Sequence, residues 1–254
     1  MTADFGNLLQ EWPYDPGQNV RILQLTDRRS VLQIRVDQGG FQGILQMYLD
    51  GRPDGQRPHG RAFSLEHHKE RLETHREQTG SENGFTLSSE SCEELFDESS
   101  RIYERYVFLL QLHDYRRVVR DTERNMGLFR FVHRYAESEA DRNNLERWWP
   151  YVLRINAEAR ALLAADDHAF DLSIKIVEGA LRDIRGLKEV DAPEFGQEKA
   201  RALELLGALK DKMAAKRPPT LRESLETQLQ QAVEKEEFET AAVLRDRLRR
   251  LVDR

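Results

Sequence analysis

The chain has 254 residues, of which 33% are charged, with a formal net charge of −6 and a mean hydropathy of −0.71. An acidic balance of this kind, with a pI near 5.7, argues against attraction of the whole protein to nucleic acid or to an anionic membrane. Cys92 is the single cysteine, which excludes an intrachain disulfide and a Cys-rich zinc site. One unpaired thiol fits a reducing compartment, and a cytoplasmic location is expected. The first residues lack the basic and apolar regions of a secretory leader, and there is no run of 18 apolar residues to span a membrane.

Residues 20–50 differ from the rest. VRILQLTD, SVLQIRVDQ and FQGILQMYLD are rich in β-branched and apolar residues, and are separated by Asp27–Ser30 and by Gly39-Gly40. Leu32, Ile34 and Val36 alternate with Gln33, Arg35 and Asp37. Leu45, Met47 and Leu49 alternate with Gln46, Tyr48 and Asp50. A period of two with polar partners marks half-buried strands, so the segment predicts a three-stranded antiparallel meander. A meander of this size needs a helix from elsewhere to cover its apolar face.

DGRPDGQRPHG, residues 50–60, holds three glycines and two prolines and reads as a loop with special backbone angles. Its Arg52, Asp54, Arg57 and His59 are the candidate ligand-binding residues of the N-terminal half. The loop follows neither the P-loop spacing nor the dinucleotide fingerprint. Residues 61–90 are strongly polar. They predict a short helix over 65–76 and a mobile connector after it. His67, His68 and His75 lie near Glu66, Glu70 and Glu73, but the order is not H-E-x-x-H and the segment reads as a solvated helix face. Neither metal nor cofactor is expected.

From Ser91 the pattern is helical. Ser91 and Glu94 have capping-box spacing, followed by Leu95, Ile102, Tyr106, Leu109 and Leu110 at helical intervals. A break at His113-Asp114 leads to a second helix with Val118, Met126, Phe129 and Val132. A third follows Ser138, and Pro150 starts, kinks or splits it. Asp166-Asp167 turns the chain into a fourth helix ending near Gly186, and Asp191-Ala192-Pro193-Glu194 opens a fifth that reaches about Lys216. Consecutive helices joined by short turns predict a repeat-like array of α-hairpins. Residues 159–184 resemble a tetratricopeptide-type repeat, although no 34-residue period runs through the chain. Trp148, Trp149, Tyr151 and Arg154 read as core at helical spacing rather than as a stacking platform. Arg116, Arg117, Arg120 and Arg124 are interleaved with acids and read as a paired, solvated face.

Lys216-Arg217-Pro218-Pro219 separates the array from its tail. Thr220 and Glu223 form a second capping-box pattern, and Leu221, Leu225, Leu229, Ala232 and Val233 follow at spacings of four, four, three and one. After Lys235-Glu236-Glu237, the residues Phe238, Ala241, Ala242, Leu244, Leu248 and Leu251 outline a returning helix. Leu229, Ala232-Val233, Glu236-Glu237, Phe238-Glu239, Ala241-Ala242, Leu244-Arg245-Asp246, Leu248 and Leu251 together resemble the UVR motif. That motif is the helical hairpin found at the end of the excision-repair subunit UvrB and inside its partner UvrC. It also occurs in McsA, the activator of a protein-arginine kinase, and in some adaptors of Clp proteases. Glu237 departs from the pattern, which often has Asp there, and Glu is the poorer cap.

The resemblance implies an interaction module. Leu229, Val233, Phe238, Ala241, Ala242, Arg245 and Leu248 are its candidate partner-binding residues, and the partner is another protein or a second copy of the chain. The expected fold is mainly α with a small β part: an N-terminal antiparallel meander, a central repeat-like array of α-hairpins and a C-terminal two-helix hairpin. The expected division is a β unit at 1–60, a polar connector at 61–90, the array at 91–216 and the hairpin at 217–254. The expected function is that of a non-enzymatic adaptor or regulator, with no catalytic residues and no direct contact with nucleic acid. Two alternatives stay open: an accessory of excision-repair subunits, and an enzyme or ligand-binding protein using the 50–60 loop.

Overall fold

A computed structural model describes residues 5–252 and divides the chain into two compact units, residues 1–211 and 212–254. In the first, a short helix α1 (Phe5–Glu11) precedes three strands, β1 (Val20–Gln24), β2 (Ser30–Gln38) and β3 (Phe41–Tyr48). They form the predicted antiparallel meander in the order β1-β2-β3, with Val20 opposite Ile34 and Leu32 opposite Met47. Gly39 and Gly40 both take positive φ at the β2–β3 turn, which a side chain would strain.

The alternation in β2 is explained by what covers each face. Leu32 and Ile34 are buried in a core shared with Ile102, Tyr106, Leu109, Val118, Ile155 and Ala159. The cover expected for the sheet is therefore made by α3 (Ser89–Gln111), α4 (Tyr115–Tyr135) and α6 (Trp149–Asp166). On the opposite face Arg35 is also buried, its guanidinium donating to the carbonyl of Trp12 (3.1 Å). Leu45 lies 59% exposed on the edge strand, so the apolar face is covered only in part.

Helix α2 (Ser64–Thr79) is longer than its pattern predicts. The segment after it is ordered by packing, not a mobile connector: Leu87 is fully buried, exchanges backbone hydrogen bonds with Tyr135 and Glu137, and shares a core with Phe85, Cys92 and Val132. Helix α3 begins two residues before the expected start. Its cap is Ser88, whose hydroxyl accepts from the Ser91 amide, so Ser91 and Glu94 do not form the capping box. Glu94 instead accepts hydrogen bonds from Ser64 Oγ (2.8 Å) and from His68 (3.2 Å).

Positive φ at His113 and His168 marks the turn between α3 and α4 and the turn that follows α6. Pro150 splits the third predicted helix. A short α5 (Glu139–Glu146) ends before it, and α6 starts with the proline in its first turn, where the missing N–H costs no intrahelical bond. Helices α6, α7 (Phe170–Arg185) and the first part of α8 (Pro193–Lys216) share a core built on Ala157, Ala161, Val177, Leu181 and Leu206. The alanines let α6 and its neighbours approach closely. No described helix is long and apolar enough to cross a membrane.

Candidate functional site

The second unit carries the C-terminal hairpin, α9 (Leu221–Glu234) and α10 (Phe238–Val252). Its start is a complete capping box. The Glu223 amide donates to Thr220 Oγ1 (3.2 Å) and the Thr220 amide donates to Glu223 Oε2 (2.7 Å). The Arg217 guanidinium also bonds the Glu223 carboxylate. The backbone bond to Thr220, then Arg217 and the Thr220 hydroxyl, hold this carboxyl down at about 2.

A carboxyl depressed in the folded state stabilises it above the unfolded value of 4.5, and that contribution is lost as pH falls towards about 2. Circular dichroism should therefore show α9 fraying between about pH 4.5 and 2, with Glu223→Gln less pH-dependent over the same window. Thr220→Ala should cost about 1 kcal/mol of hairpin stability at neutral pH. An unchanged melting profile would count against the cap.

The turn is tight and directional. The Glu237 amide donates to the Ala232 carbonyl (2.8 Å) and the Glu236 amide to that of Val233 (3.0 Å). Glu236 sits at φ 58, the left-handed geometry that ends a helix and reverses the chain. Beyond the turn, Ala241 and Leu244 face Leu225 and Ala232 in the hairpin's small core, with Leu229 and Leu248 packed on it.

This geometry sorts the candidate partner-binding residues into two groups. Leu229, Ala241 and Leu248 belong to the hairpin's interior, and Ala242 is half-buried beside them. Val233 and Phe238 lie on either side of the turn and are 50% and 70% exposed. Both are exposed apolar residues at the turn end of the hairpin. Arg245 is exposed next to Asp246, its Nε 3.8 Å from that carboxylate, a separation at which it is open to other partners. Leu221, Val243 and Leu251 are exposed apolar residues on the same hairpin that the residue pattern did not single out as contacts.

The 50–60 loop is built differently. Arg52 is buried and its guanidinium is engaged on every side: Nε with Asp54 (3.0 Å), Nη2 with Asp97 (2.9 Å) and Nη1 with Ser64 Oγ (3.2 Å). Glu98, fully buried, accepts from the Ser64 and Leu65 amides at the start of α2. Burial pushes its carboxyl up against those bonds. Arg57 points outward, and His59 stacks on His67 at 3.9 Å and contacts Glu94 at 3.0 Å. Two of the four loop residues thus act inside the protein as a fastener between the loop, α2 and α3.

Cys92 is fully buried and burial, with Asp141 nearby, lifts its thiol to about 11, so it stays protonated at neutral pH. Trp149 packs edge-on against Phe129 (5.4 Å) and Arg154 lies over Tyr151 (5.1 Å), as expected of core aromatics, whereas Trp148 stays 39% exposed.

Comparison with known proteins bears on the hairpin alone. Neither a curated protein nor a solved structure matches the chain. Residues 220–254 match the family model described as the UvrB/uvrC motif, and the match begins at the capping threonine and takes in both helices. The C-terminal hairpin is a UVR motif, a protein-interaction motif.

Proposed function

We propose that this chain is a non-enzymatic adaptor or regulator that acts in the cytoplasm and docks onto another protein, or onto a second copy of itself, through the tip of its UVR hairpin. The observation that carries the reading is the pair Val233 and Phe238, held exposed by a hairpin whose own core is already closed around Leu225, Ala232, Ala241 and Leu244. A hairpin of about 35 residues is below the size at which a chain usually secures its own fold, so a second surface stabilises it. Its role is tied to UvrB- and UvrC-like interactions through the motif, and excision-repair subunits are the first partners to try.

Light scattering and co-purification with the full chain and with a chain ending at Arg217 test this reading. The expected result is that truncation removes co-purifying proteins or lowers the particle mass by more than the missing segment. The same partners and the same assembly state for both chains would reduce the hairpin to a terminal cap and end the proposal.

A further inference from the structure

Within the first unit, α3, α4, α5, α6 and α8 line a partly open cavity of about 450 Å³. It is unrelated to the hairpin and to the 50–60 loop. Three tyrosines form one wall: Tyr103 meets Tyr106 edge-on at 5.5 Å (89°) and Tyr151 at 5.7 Å (63°). Trp148 stands exposed on the lining. Burial raises both the Tyr106 and the Tyr151 hydroxyl above their ordinary range, so these two stay neutral phenols at physiological pH.

Two oxygen atoms in this cavity have no hydrogen-bond partner among the described residues: Asn125 Oδ1 and Glu198 Oε2. Asn125 is 1% exposed, and its Nδ2 donates to the carbonyl of Ser99 (3.0 Å). Turning the amide over would set two oxygens against each other, so the free atom is the acceptor. Glu198 comes from α8, and its carboxylate is one of two charged groups on the lining; the other is Arg201, which is exposed. Native proteins leave few buried polar atoms unpaired, and here two acceptors are left in one aromatic cavity. Neither atom accepts from an O–H of the tyrosine wall, so each can accept from a donor that enters the cavity. Tyrosine and tryptophan faces attract positive charge, and a partly buried carboxylate strengthens that preference.

We infer that the cavity binds an organic cation with N–H donors: an ammonium, amidinium or guanidinium group on a compact apolar body. The charged head pairs with Glu198 and Asn125, and the body lies against the tyrosines and Trp148. The group can arrive on a free small amine or on a lysine or arginine side chain of a peptide. The chemistry is shared and the test separates the sources.

Calorimetric titration of the full chain with benzamidine, with tryptophan emission followed in parallel, is the experiment. Benzamidine should bind saturably with a Kd of about 1 mM or tighter, while the neutral benzamide and the anionic benzoate should bind at least tenfold more weakly. Glu198→Gln, a half-exposed position where folding is safe, should weaken benzamidine at least tenfold. Trp148→Ala should weaken it and remove the emission change. Arg201→Gln should leave it unchanged or tighten it. Agmatine and a capped Gly-Arg-Gly peptide then identify the source: binding of both admits a peptide side chain, and binding of agmatine alone assigns a free amine. No saturable binding of any cation, equal binding of benzamide or benzoate, or a Glu198→Gln protein that binds benzamidine unchanged, would overturn the inference and leave a cavity filled by water.

Discussion

Asp121→Ala should destabilise the N-terminal unit by about 3–5 kcal/mol, the usual cost of leaving one member of a buried ion pair without its partner. Arg105 and Asp121 are each 1% exposed and joined by two parallel bonds, Nε to Oδ2 (2.7 Å) and Nη2 to Oδ1 (2.8 Å). The remaining Arg105 nitrogen donates to the carbonyls of Tyr48 (3.0 Å) and Gly51 (2.7 Å). Arg120 Nε donates to the same Asp121 Oδ1 (2.9 Å), and its guanidinium reaches the Leu49 carbonyl (2.7 Å) and Asp50 (2.6 Å). One aspartate therefore orients two arginines that fasten the end of β3 onto α3 and α4. Without it, a buried guanidinium keeps its carbonyl contacts but has no countercharge. Urea unfolding should show the midpoint fall while the slope stays the same, and the melting temperature should drop by about 10 °C. Because replacement of a whole buried pair by apolar residues is often neutral, Arg105→Met with Asp121→Leu should be less harmful than Asp121→Ala alone. A single variant as stable as the parent would show that the pair contributes nothing to holding the sheet.

Long-range polar contacts of this kind decide which parts of the fold were legible in the sequence. The meander and the helix breaks were, because their signals are local: alternation in 30–38, Gly39-Gly40 at a turn, Asp114 and Thr220 at helix starts, Pro150 at a first turn. The start of α3 was not, because Ser88, Ser91 and Glu94 all have capping chemistry, and only the packing of α2 draws Glu94 away to Ser64 and His68. The role of the 50–60 loop was hidden for a similar reason. A glycine- and arginine-rich loop looks the same whether its charges face solvent or are held by Asp97 and Glu98, about 45 residues further along the chain. The tyrosine cavity left still less trace. Tyr103, Asn125, Tyr151 and Glu198 come from four helices and form no motif in one dimension. In the hairpin, spacing gave the apolar residues, but whether each faces the mate helix or the outside depends on where the turn falls. Phe238 is one turn from Ala241 on the same stripe, yet α9 has ended at that level, and the ring overhangs.

That overhang makes the strongest functional prediction concrete. Phe238→Asp should weaken association through the hairpin at least 30-fold, about 2 kcal/mol, as removal of an aromatic anchor from the centre of an interface does, and Val233→Asp should weaken it by placing a charge beside that anchor. Both side chains are already largely in water, so the folded chain loses little: the melting temperature and helix content should stay near those of the parent, within about 0.5 kcal/mol. Leu244→Ala is the contrasting variant. It opens the hairpin's own core, where Leu244 is 6% exposed against Leu225 and Ala232, and should cost about 2–5 kcal/mol of hairpin stability. Association then fails because the hairpin itself frays. Sedimentation of the full chain reads self-association, capture on the immobilised chain reads partner binding, and far-ultraviolet dichroism reads the fold. Loss of association at intact helicity for the two tip variants, with loss of both for Leu244→Ala, separates a docking tip from a packed cap. If the tip variants assemble like the parent, Phe238 is not the anchor, and the exposed Leu221, Val243 and Arg245 become the surface to change next.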